Sequence, residues 1–100
     1  AALTKRLFTA ETPEDKRILK QIIHESDDGF VRWAMDAILN WNNESIPSPL
    51  VHIHGSRDEM LPVRFTRPTH ILPGAGHLMV MNRASEINLI LRDVLLPLRP

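Results

Sequence analysis

A chain of 100 residues is the size of one domain, and with 43% hydrophobic and 24% charged residues it sits near the globular average, away from disordered and fibrous classes. Lys plus Arg and Asp plus Glu number 12 each without a long run of either sign, so no broad positive field exists to hold nucleic acid, which is not an expected partner. There is no cysteine for disulfides, thiolate metal sites or a Cys nucleophile, and no apolar run approaches the ~20 residues that cross a bilayer, so no membrane partner is expected.

The first residues lack the succession of a signal peptide, which makes a cytoplasmic location the expectation. The chain starts at Ala1 without methionine and reads as cut from something longer. Thr12, Pro13, Glu14 and Asp15 supply a side-chain cap, a φ-restricted first residue and two negative charges, each suited to a helix start. Ile18, Leu19, Ile22 and Ile23 continue at helical spacing until Ser26 to Gly29 break the run. Asp27 or Asp28 caps a second helix whose stripe is Phe30, Ala34, Ala37, Ile38 and Trp41, broadened by Val31, Trp33 and Met35. Trp33, Trp41, Phe30 and Met35 could line an acyl pocket, but an aromatic stripe at this spacing reads as core. The polar run from Asn40 to Ser45, then Pro47 and Pro49, ends the helical part in an extended linker.

Leu50 to His54, closed by Gly55, reads as a short buried strand, and Thr69 to Leu72, closed by Pro73 and Gly74, as a second. The 14 residues between them suffice for a parallel crossover, although a lean one. Asn82 is the expected cap of a last helix, with Ala84, Ile87, Ile90, Leu91, Val94 and Leu95 on its apolar face. Two strands alone leave a parallel sheet with open edges and uncovered faces, so partner strands belong in a missing amino-terminal half. The isolated chain is therefore expected to be marginally stable or self-associating.

Reactive groups in open α/β sheets gather beyond the carboxyl ends of the strands. Gly55-Ser56-Arg57-Asp58-Glu59 places a carboxylate there, and Pro73-Gly74-Ala75-Gly76-His77 an imidazole. With adjacent strands, Asp58 accepts a hydrogen bond from the His77 ring, which fixes the tautomer and leaves the other nitrogen as a general base. Taken alone, Asp58 also fits a turn-forming aspartate.

Leu50-Val51-His52-Ile53-His54-Gly55-Ser56-Arg57-Asp58 followed by Leu72-Pro73-Gly74-Ala75-Gly76-His77 resembles the last two active-site segments of the α/β-hydrolase family, where a strand and Gly-x-x-Asp precede a strand and Pro-Gly-x-Gly-His. The order of acid, then histidine, matches that family. The resemblance covers residues 47–95, and residues 1–46 would be cap or lid helices. It implies the carboxyl-terminal part of an α/β-hydrolase fold, two short parallel strands with flanking helices. The domains would be 1–46, helical and cap-like, and 47–100, core.

The implied activity is ester, amide or thioester hydrolysis by a nucleophile-His-acid triad acting on a small-molecule substrate, with Asp58 and His77 as the catalytic residues and no cofactor or metal. The chain departs from the pattern in two ways. Met60 to Pro68 is too short and proline-interrupted for the usual intervening helix. No Gly-x-Ser-x-Gly occurs, and Ser26, Ser45, Ser48, Ser56 and Ser85 all lack the setting of a nucleophile elbow. The nucleophile, Ser or Asp, would lie outside this sequence, and the 100 residues alone are expected to be inactive. Two rival readings remain. One is a metal-dependent hydrolase in which His52-x-His54 ligates zinc with Asp58 and His77; the other is a non-catalytic binding piece. His24 and His70 show no partner in the sequence, and Arg57 and Glu59 read as solvated loop charges.

Overall fold

The computed structural model describes residues 8–96. Helix α1, Pro13–Glu25, begins as its sequence dictates: the Thr12 hydroxyl accepts the Asp15 N–H at 3.0 Å while the Asp15 carboxylate accepts the Thr12 N–H at 3.3 Å. This reciprocal box satisfies donors that a helix start otherwise orphans. Ser26 ends the helix, its hydroxyl donating back to the Ile22 carbonyl at 2.6 Å. One residue on, the Asp27 carboxylate accepts the Phe30 N–H at 2.8 Å and starts helix α2, Asp28–Leu39.

Helix α2 corrects one expectation. Its aromatic stripe is not core among the described residues: Trp33 is 65% and Phe30 62% exposed, and no α2 residue is buried. An apolar face this wide needs a neighbouring layer, and no described element supplies one. The helix also stops at Leu39, short of Trp41, with the Asn40 amide folded back onto the Asp36 carbonyl at 2.9 Å.

The sheet has two parallel strands, β1 (Ile53–Gly55) and β2 (His70–Leu72), with Ile53 opposite His70, His54 opposite Ile71 and Gly55 opposite Leu72. Both are shorter than expected. The His52 carbonyl accepts the N–H groups of both Thr69 and His70 at 3.0 Å. Beyond them Pro68 has no N–H to extend the ladder, so Leu50 and Val51 stay outside it and exposed. The crossover carries a single 3-10 turn, Val63–Phe65. The architecture is thus of mixed α/β character, with two short parallel strands flanked by helices. Among the described residues no helix is long and apolar enough to cross a membrane.

A four-residue helix α3, Met79–Asn82, precedes α4, Ala84–Leu95. Asn82 does not cap α4; Arg83 holds that position without a side-chain bond. The Asn82 amide is instead drawn to Asp15 Oδ2 at 2.9 Å and the Thr9 carbonyl at 3.3 Å. A cap would use Asn82 Oδ1 as acceptor, yet that buried oxygen has no partner, because the side chain is held through its amide nitrogen by a carboxylate far away in sequence. Beside it, the Arg83 guanidinium meets Glu11 through two bonds, 2.8 and 3.1 Å, and the Gly74 carbonyl at 3.3 Å. The Arg83 bond and charge hold the Glu11 carboxyl below its ordinary value. These contacts dock the start of α1 against the histidine loop, around a small core of Leu19, Leu72 and Ala75.

Candidate functional site

The loops leaving β1 and β2 are joined along their length. Ser56 N–H donates to the Leu72 carbonyl at 3.1 Å, Arg57 N–H to the Ala75 carbonyl at 2.8 Å, and Gly74 N–H to Ser56 Oγ at 2.7 Å. Such close approach explains Gly55, where a Cβ would overlap the Ala75 carbonyl. Gly74 turns the second loop at φ +76°, in the left-handed region.

This zipper brings together the two residues singled out in the sequence. His77 Nδ1 lies 3.0 Å from Asp58 Oδ2. The other oxygen, Oδ1, accepts the N–H groups of Met60 and Leu61, each at 2.9 Å. Asp58 is therefore both a turn-forming aspartate and the partner of His77, one oxygen for each task. Its side chain is 7% exposed, against 31% for His77. Burial works to raise the Asp58 pKa, but the Leu61 N–H, the bond and charge of His77 and the Met60 N–H together outweigh it and hold the carboxyl below its ordinary value. An ionised carboxylate only accepts, so the proton of the shared bond sits on His77 Nδ1 and a neutral ring keeps its lone pair on Nε2.

Two neighbours were missed in the sequence, and a third, His54, was set beside Asp58 only as a zinc ligand. Phe8 packs edge-on against the His77 ring, centroids 5.5 Å apart, and its carbonyl accepts the Leu78 N–H at 3.2 Å. Thr9 lies against Gly76, leaving no room there for a Cβ. His54 Nε2 stands 3.7 Å from Asp58 Oδ2. The first two contacts join opposite ends of the chain and leave no local signal. The third was legible in principle, since a strand's last side chains lie beside the loop that follows.

His52 and His54 do share a face, as their spacing requires, but they bond to each other: His52 Nε2 is 3.0 Å from His54 Nδ1. The second His54 nitrogen meets the Leu61 carbonyl. Both His54 nitrogens are thus engaged by protein atoms, and among the described residues no group of three or more metal-binding side chains is assembled. His70 Nδ1 pairs with the neighbouring Thr69 hydroxyl at 2.9 Å, and Arg57 and Glu59 are exposed. A depression of about 430 Å³ lies along Ser56 to Glu59 and Pro62 to Arg64, on the acid loop, and His77 does not line it. Comparison with known protein families, curated proteins and solved structures finds no match to this chain.

Proposed function

We propose that Asp58 and His77 are the orienting acid and the general base of a hydrolase with a nucleophile-His-acid triad, carried on the carboxyl-terminal part of an α/β-hydrolase fold. The observation that supports it most is the 3.0 Å contact of His77 Nδ1 with an Asp58 already anchored by two backbone N–H groups. A carboxylate held on one oxygen and presented by the other can select one imidazole tautomer and stabilise the imidazolium that forms during reaction. The origin of both residues in loops at the carboxyl ends of neighbouring parallel strands adds support. Residues 1–46 belong to a helical cap in this reading.

The nucleophile, a hydroxyl or a carboxylate, comes from a segment outside this sequence, as do the donors for an oxyanion. With a serine, His77 Nε2 takes the hydroxyl proton as oxygen attacks the substrate carbonyl, then gives it to the leaving group. Water repeats the cycle to release the acid. The substrate is a small ester, amide or thioester. An activity-based probe for serine hydrolases, applied to the protein together with its nucleophile-bearing segment, tests the proposal. Labelling lost in His77→Ala is expected; labelling that survives His77→Ala, or a wild type that is never labelled and never hydrolyses an ester panel, sinks the serine form.

A further inference from the structure

The mechanism above has no task for the second imidazole at Asp58. His54 is 6% exposed, in the middle of β1, with every polar atom of its ring committed. Its Nε2 meets the Leu61 carbonyl, and its Nδ1 lies 3.0 Å from His52 Nε2. A carbonyl oxygen only accepts, so His54 Nε2 carries a proton. The neutral ring then offers a lone pair at Nδ1, and His52 Nε2 must be the donor to it. One backbone carbonyl thereby sets the tautomers of two histidines.

Leu61 is also the residue whose N–H anchors Asp58 Oδ1. His54 therefore holds by its carbonyl the same residue that holds the acid by its N–H. His54 Nε2 also stands 3.7 Å from Oδ2, the oxygen that serves His77, a distance beyond a hydrogen bond, so its effect on the acid runs through Leu61. From these contacts we propose that His54 is a positioning residue for the Asp58–His77 pair, fixing the acid loop through Leu61, with His52 donating to its remaining ring nitrogen. The inference rests on reading Asp58 and His77 as acid and base. An aromatic ring of the same bulk would fill the space but release the Leu61 carbonyl, whereas a glutamine carries an amide donor to the position of Nε2.

The test compares His54→Phe with His54→Gln in the full-length protein, by proton and nitrogen NMR of the histidine rings and by turnover. The wild type is expected to show a protected, downfield His77 Nδ1 proton and a pure Nε2–H tautomer at His54. In H54F that proton should exchange roughly tenfold faster, and kcat should fall roughly tenfold with KM within about twofold, a displacement effect on chemistry rather than binding. H54Q should restore both. An H54F protein with unchanged exchange and kcat overturns the proposal, as does an H54Q no better than H54F. If H54F does not fold, the wild-type ring decides: a pure Nε2–H tautomer at His54 with that proton protected from exchange supports the proposal, and an Nδ1–H tautomer or an unprotected Nε2 proton overturns it. Asp58→Asn and His77→Ala separate the two levels. If both abolish turnover while H54F leaves it intact, only the role of His54 fails; if Asp58→Asn leaves the His77 proton and turnover intact, the acid–base reading fails and takes this proposal with it.

Discussion

The loops that carry Asp58 and His77 and the helix α2 are built on opposite terms. The loops bury polar groups almost without apolar support: Asp58 and His54 are buried, and the nearby apolar core is Leu72 and Ala75. Helix α2 has a broad apolar face and buries no residue at all. Buried polar groups are tolerated when bonded, and here Asp58 and His54 are held by bonds within and between the two strands and their loops. Apolar faces have no such local remedy and wait for a second surface. Site geometry and core are thus separable in this chain, and the site is the part that closes on itself.

The sharpest way to break that contrast is to disturb the polar side. On the proposed triad reading, Asp58→Asn puts an amide where a carboxylate selects the His77 tautomer, and turnover of the protein together with its nucleophile-bearing segment should drop by roughly three to four orders of magnitude in a kcat assay. Next in size is Gly55→Ala, whose methyl overlaps the Ala75 carbonyl and forces the two loops apart. Denaturant unfolding should register about 1–3 kcal/mol of lost stability, the usual cost of an overpacked site.

Acid comes third. The folded pKa values of Asp58 and Asp15 lie below their ordinary values; at Asp15, burial pushes upward but is outweighed by bonds from Asn82, Glu11 and Thr12. Each carboxylate therefore contributes stability that is complete above an unfolded pKa of about 3.9 and is lost as pH falls through that value towards the folded one. Unfolding midpoints measured on either side of the carboxylate range should show this fall, and Asn82→Ala should flatten it by raising the Asp15 pKa. The smallest expected effect is on the apolar side: Trp33→Lys should change the stability of the isolated chain by no more than about 0.5 kcal/mol, as exposed substitutions do. The same variant should lower self-association in sedimentation experiments. A loss of several kcal/mol there would mean that α2 already has a packed partner.

What could be read from the sequence follows the range of the interaction. The Thr12 and Asp27 caps were legible because each side chain bonds a backbone three positions away. The Asp58–His77 contact was legible at longer range because parallel strands deliver their following loops to the same edge. Asn82 misled for the opposite reason: the residue type favours a helix cap, but a carboxylate 67 positions away takes its amide. The strands were overestimated because β-branched Val51 satisfies strand propensity while Pro68 removes the donor that pairing there requires. The aromatic stripe of α2 set its helical phase correctly and said nothing of what lies opposite.

The contact between residues 8–11 and the histidine loop has a consequence in time. Asp58 and His77 are 19 positions apart, whereas Arg83 and Glu11 are 72 apart. That is about two doublings of loop length, so closing the longer loop costs roughly 1 kcal/mol more chain entropy. The strands and their loops should meet first, with His77 already beside Asp58, and Phe8 should settle behind the imidazole only when the chain's two ends find each other. The order of assembly then has His77 beside Asp58 before Phe8 shelters its ring.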